Sequence, residues 1–135
     1  MNVFLIDLKN QPGELARLTE AIAQKGINIE SFSGATVGGS GSVALVTNDE
    51  SATRNAISGA GYKARELELV PVAIEHKPGG LAAIAKKLGD AGINIEAALP
   101  MGMTGGNVTV AFATNDPSKT RMILGVGEPA GMAVG

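Results

Sequence analysis

Two stretches of this chain are near copies of each other: KNQPGELARLTEAIAQKGINIES, from Lys9 to Ser31, and EHKPGGLAAIAKKLGDAGINIEA, from Glu75 to Ala97. Such a repeat constrains the fold more than any single motif, because one supersecondary unit must be built twice. Aligned, Pro12-Gly13 falls on Pro78-Gly79, Leu15-Ala16 on Leu81-Ala82, and Gly26-Ile27-Asn28-Ile29-Glu30 on Gly92-Ile93-Asn94-Ile95-Glu96. Past one extra residue in the second copy, Thr47-Asn48-Asp49 falls on Thr114-Asn115-Asp116 and Thr53-Arg54 on Thr120-Arg121. The correspondence covers nearly all of the 135 residues, a length that suits one ordinary domain or two very small ones.

Each copy reads as strand, helix, two strands and helix. Residues 2–8 are mostly apolar β-formers, as in a buried strand, and 69–75 are their counterpart. Pro12 and Pro78 are expected in a first helical turn. Leu15, Leu18 and Ile22, against Leu81, Ile84, Ala85 and Leu88, recur at the spacing of one apolar helix face. Gly26 and Gly92 are expected to close those helices in the left-handed conformation. INIESFSGATV and SVALVTN form a hairpin around Gly38 to Gly41, and INIEAALPM and NVTVAFATN form one around Gly105-Gly106. Asp49 and Asp116 read as N-caps of short second helices, the latter followed by Pro117. ARELEL alternates as a last strand of the first copy, and Met132 to Val134 is its faint partner.

The expected architecture is therefore α+β: two βαββαβ units in tandem, residues 1–68 and 69–135, each with its helices on one face of an antiparallel sheet. Only a residue or two around Pro71 is left between the last strand of one unit and the first of the next. That is too short for a flexible linker, and Pro71 suits a strand start or bend better than a strand centre. Two closely packed units and, because edge strands need covering, a homodimer are expected.

Fold alone does not give function, so the residues must. The formal charge of −2 is spread evenly, with no basic face for nucleic acid or an anionic membrane. The whole chain has three Phe and one Tyr, and the central strands offer only Phe112, too few aromatic residues to stack RNA bases. The absence of cysteine removes thiolate metal sites and cysteine nucleophiles. His76 is the only histidine, and no carboxylate pair or nucleophile–base cluster recurs, so no catalytic residue, metal or cofactor is expected. VFLI is too short an apolar run for a signal peptide, which makes a cytoplasmic protein the default. GVGEPA, from Gly125 to Ala130, matches a loose dinucleotide fingerprint, but it follows a helix and opens none.

What recurs is a strand, a polar residue, Pro-Gly and a helix start, with Gly-Ile-Asn-Ile returning beside it. Helix N–H groups and the positive dipole end suit a carboxylate there, and Gly13 or Gly79 lets a ligand approach the backbone, so a small α-amino acid fits.

At these residues the chain resembles the ACT domain, an amino-acid-sensing regulatory module with a ferredoxin-like fold. The resemblance runs from Asn2 to about Leu67 and from Glu68 to about Leu124, and it is carried by the Pro-Gly and Gly-Ile-Asn-Ile signatures. It implies a tandem protein that senses an amino acid at an interface between modules and regulates a metabolic enzyme or regulator in trans. The implied ligand-binding residues are Asn10, Gln11, Pro12, Gly13, Glu14, Leu15, Asn28 and Ile29 in the first copy. Their counterparts are His76, Lys77, Pro78, Gly79, Asn94 and Ile95 in the second. A histidine that relatives carry four residues before Pro is here Leu8 and Ile74. Between the copies, neutral Asn10 and Asn28 favour the first, since a charged His76 would repel an ammonium group.

Each of these residues also has a purely structural explanation. Asn10 and His76 stand at capping distance from a helix, Asn28 and Asn94 start strands after a glycine turn, and Gly13 and Gly79 suit backbone geometry alone. A ligand-free assembly module that uses the same surfaces for pairing is the alternative function, and an enzyme of unrecognised type the third.

Overall fold

The computed structural model describes residues 1–127, which fold as two compact units: Asn2–Leu67, and Met1 with the chain from Glu68 onward. The expected strand at Met132 to Val134 and the end of GVGEPA lie outside the described residues.

In the first unit, β1 (Asn2–Lys9) leads to α1 (Glu14–Ala23), the hairpin β2 (Ile29–Val37) and β3 (Ser40–Thr47), α2 (Glu50–Gly59) and the opening of β4 (Ala64–Glu75). β3 pairs antiparallel with both β1 and β2, giving the order β2-β3-β1. Alternation places Phe4 and Ile6 of β1 beside Val43 and Leu45 of β3, under Leu18 and Ile22 of α1 and Ala56 and Ile57 of α2. Both helices thus cover one face of the sheet.

In the second unit, the closing part of β4 pairs with β6 (Asn107–Thr114), which pairs with β5 (Ile95–Thr104), all antiparallel. Its helices are α3 (Gly80–Asp90) and α4 (Pro117–Leu124). Val72, Ile74 and Phe112 form a core against Ile84, Ile95, Val108 and Leu124.

The expected break at Pro71 does not occur: β4 is one strand of 12 residues, and Pro71 lies within it opposite Ala111. The reason is parity. Successive residues of a strand turn their N–H groups to opposite edges. The Leu69 N–H reaches Met1 O at 2.9 Å, and the His76 N–H reaches Gly106 O at 2.9 Å on the β6 side. Pro71 shares the parity of Leu69, so the N–H that it lacks is one that the β4–β6 ladder never uses.

Matching sequence gives matching geometry at the second helix of each unit. Asp49 Oδ1 accepts from the Ala52 N–H and Asp116 Oδ1 from the Lys119 N–H, each at 3.0 Å, so both expected caps form. Behind each cap two buried threonine hydroxyls meet, Thr47 with Thr53 at 2.7 Å and Thr114 with Thr120 at 2.8 Å. The pairing lets each strand–helix corner bury its polar groups without loss.

The arginines that follow are also matched in role. Arg54 Nε donates to Glu66 Oε1 at 2.8 Å and its Nη2 to Glu66 Oε2 at 2.9 Å, while Asn2 Nδ2 donates to Glu66 Oε2 at 2.7 Å. In the second unit the buried Arg121 pairs with Glu68. Bonding to Arg54 holds the Glu66 carboxyl below the usual carboxylate range, against the opposing effect of desolvation, with Asn2 adding to the lowering. A carboxyl depressed by folding contributes stability that is present above its unfolded pKa and lost as pH falls through the folded one. Glu66→Gln is therefore expected to flatten the acid limb of urea stability measured from neutral pH to about pH 3. An acid limb as steep as that of the wild type would show that Glu66 is not coupled to folding.

Candidate functional site

The turn between β1 and α1 is built by glycine. Gly13 has φ 90° and ψ −11°, and in the second unit Gly79 has φ 85° and ψ −7°, so each helix is entered from a left-handed residue. Helices α1 and α3 start at Glu14 and Gly80, one residue after that glycine. Pro12 and Pro78 consequently lie in the turns before the helices and not in the first helical turn, because a residue with positive φ separates them from it. No side chain caps either helix. Asn10 instead donates from Nδ2 to Gly38 O at 2.9 Å, tying the turn to the tip of the β2–β3 hairpin.

Glu14 is the most constrained polar group of the turn, with its side chain 14% exposed. Gln11 Nε2 donates to its Oε1 at 3.1 Å and the Tyr62 hydroxyl to its Oε2 at 3.4 Å. Arg17 Nε lies 4.0 Å from Oε1, and the guanidinium carbon sits 4.4 Å from the Tyr62 ring centroid, a cation–π distance. Burial pushes the Tyr62 phenol up, opposed by Arg17 and reinforced by Glu14. A carboxylate offers about four acceptor positions, so this framework fixes Glu14 and still leaves it acceptor capacity.

Beside the turn a groove of about 440 Å³ opens, lined by Lys9, Asn10, Gln11 and Glu14 at one side. Leu8, Leu15, Phe32 and Val43 supply apolar wall, and Gly34 and Gly41 lie in the floor. Its volume falls within the range of about 300–1,000 Å³ usual for small-ligand sites. A second groove of about 400 Å³ shares Leu15 and Phe32 with it and adds Ile29 and Leu45.

Of the residues expected from sequence in the first copy, Asn10, Gln11, Glu14 and Leu15 come together around one groove and Ile29 lines its neighbour. Pro12 and Gly13 shape the turn. Asn28 is exposed and not among the lining residues; its backbone is held by Asn48, whose Oδ1 accepts the Asn28 N–H at 3.0 Å and whose N–H reaches Asn28 O at 3.2 Å. Asn94 and Asn115 repeat this bond for bond, at 3.0 Å and 3.2 Å, just before Ile95 opens β5.

In the second copy the exposed His76 and Pro78 stand in the turn after β4. Lys77 Nζ is paired with Glu75 Oε2 at 2.7 Å, which raises the lysine and lowers the glutamate from their ordinary values. Where the first unit has Glu14, the second has Gly80, and a Cβ there would lie 2.3 Å from Glu75 O.

Sequence reading missed Arg17, Tyr62, Phe32 and Gly34. For Phe32 a signal existed, since it is the aromatic residue of the β2 segment IESFSGATV, and in the fold it is 64% exposed. Among the described residues there is no group of His, Cys, Asp or Glu that could hold a metal ion, and no helix is long and apolar enough to cross a membrane.

Residues 2–57, the segment that carries the groove, match the family model of the ACT domain. No curated protein matches the chain by sequence. Among solved structures, a protein from Bacteroides thetaiotaomicron superposes with TM-score 0.75 at 21% identity, over 92% of this chain and 85% of that one. The ligand-free regulatory subunit of aspartate kinase from Thermus thermophilus gives TM-score 0.64 at 18% identity, over 91% and 86%. That from Thermus flavus gives TM-score 0.62 at 19% identity, over 91% and 86%. At these identities the likeness is one of fold.

Proposed function

We propose that this chain is a non-catalytic regulatory protein that binds an amino acid in the groove of its first unit, with two ACT-like units, 1–68 and 69–135, in tandem. The observation that carries the reading is that the segment matching the ACT domain is the one whose Asn10, Gln11, Glu14 and Leu15 gather around a single groove. An α-amino acid carries both charges, and the groove offers both complements. Lys9, Asn10 and the start of α1 suit its carboxylate, and the fixed carboxylate of Glu14 suits its ammonium group. The fold shared with regulatory subunits of aspartate kinase supports, by analogy, a regulated metabolic enzyme or regulator in trans.

Leu15 and Phe32 are 48% and 64% exposed at the groove, and Val37 is 85% exposed on β2. A second copy covering this surface would close the groove over the ligand, so that binding favours one assembly over another. Sedimentation is expected to show a dimer at tens of micromolar; a clean species of 13.6 kDa would remove that step.

The test is a thermal-shift screen of amino acids and their biosynthetic intermediates, followed by calorimetry. A ligand at about 100 times its dissociation constant adds roughly 2.7 kcal/mol of stability. Asn10→Ala is expected to weaken binding by about tenfold or more, as for a lost hydrogen bond to a charged group of roughly 1.5–3 kcal/mol. His76→Ala is expected to bind like the wild type, and the reverse pattern would move the site to the second unit. If no amino acid binds, the exposed Leu15, Phe32 and Val37 favour the ligand-free assembly module instead.

A further inference from the structure

We infer that the groove selects an amino acid with an apolar side chain of branched-chain or phenyl size, and that Gly34 is the residue that sets this preference. The inference rests on the amino-acid reading proposed above and adds the class of ligand.

Cross-strand neighbours share a face of a sheet. Phe32 stands opposite Leu45, Gly34 opposite Val43 and Thr36 opposite Gly41. Val43 and Leu45 belong to the core beneath α1, so Gly34 and Gly41 lie on the helix-covered face, among the residues that line the groove.

The two glycines have different reasons to be there. A Cβ on Gly41 would lie 3.2 Å from Leu8 O and 3.3 Å from Thr36 Cγ2, so close packing accounts for that glycine. A Cβ on Gly34 would meet Ser42 O at 3.5 Å and Val43 Cγ2 at 3.8 Å, which are ordinary contacts. Gly34 has no positive φ either. Glycine weakens a strand, and inside one it often marks a place where a ligand or another chain comes close. Nothing in the packing of the first unit requires it at 34.

The second unit supplies the contrast. By the internal repeat, Gly34 opposite Val43 becomes Pro100 opposite Val110. Gly41 becomes Val108, which packs against the Val72, Ile74 and Phe112 core. Both glycine positions of the first unit are thus filled by side chains in the second. The walls of the groove are Leu8, Leu15, Phe32 and Val43, and its charged residues Lys9 and Glu14 stand at the turn side, where the zwitterionic end of the ligand would sit.

The test is calorimetry of the full chain with L-leucine, L-isoleucine, L-phenylalanine, L-alanine, L-aspartate and L-lysine, on wild type, Gly34→Ala and Gly34→Val. The wild type is expected to bind at least one of the first three about tenfold or more tighter than L-alanine, the scale that hydrophobic pockets reach for added methylenes. Gly34→Val, a β-former in a strand, is expected to fold and to lose that preference, with Gly34→Ala in between. Should Gly34→Val lose its cooperative melt, Gly34→Ala, whose added atom meets only ordinary contacts, carries the test. Tighter binding of L-aspartate or L-lysine, or a preference unchanged by filling position 34, overturns this inference and leaves the amino-acid site standing. Absence of binding by every amino acid overturns both.

Discussion

Truncating Phe112 to alanine is expected to cost about 3–5 kcal/mol of unfolding free energy, against a total of about 5–15 kcal/mol for a folded protein. Phe112 is 1% exposed on β6, opposite Val70 and Ala98, and its ring packs in the core with Val72 and Ile74. The loss combines the transfer free energy of the ring with the cavity that its neighbours cannot collapse to fill. Urea unfolding measures it, with Met122→Ala as the control: Met122 is 78% exposed, and its truncation is expected to stay within about 0.5 kcal/mol. A loss below about 1 kcal/mol for Phe112→Ala would mean that the ring does not anchor the second unit.

The second large effect is expected from one methyl group. Gly80→Ala places a Cβ 2.3 Å from the backbone oxygen of Glu75 and 3.1 Å from Ile74 Cγ2, so α3 must move away from the end of β4. The expected cost is about 1–3 kcal/mol, the usual range for overpacking. The corresponding residue of the first unit is Glu14, a full side chain tied to Gln11, Tyr62 and Arg17. The same turn thus carries an anchored carboxylate in one unit and a tight helix–strand contact in the other. A melting temperature unchanged in Gly80→Ala would show that the start of α3 is free to shift, and would remove this distinction between the two turns.

These residues show how far the sequence could be read. Local rules gave the left-handed Gly26 and Gly92, the Asp49 and Asp116 caps and the two hairpins, because each depends on neighbours a few residues apart. The same rules failed at Pro71, where the outcome turned on which edge of β4 faces β6, a matter of register between strands far apart in sequence. They failed again at Pro12, since a pattern of apolar positions does not reveal that Gly13 interrupts the turn with positive φ.

At the candidate site the division is sharper. Asn10, Gln11, Glu14 and Leu15 were legible because they belong to one recurring segment next to Pro-Gly. Tyr62 was not, because it meets Glu14 across 48 positions and a lone tyrosine carries no local pattern. Gly34 looked like any small residue in a strand. The sequence by itself determined that one βαββα pattern is written twice and where its turns and caps fall, since backbone conformation and capping bonds are set by nearby residues. Tertiary structure alone decided that the first copy holds an open groove, and where Pro100, Val108 and Gly80 stand in the second, because pairing across strands and packing of helix against sheet determine which side chains share a space.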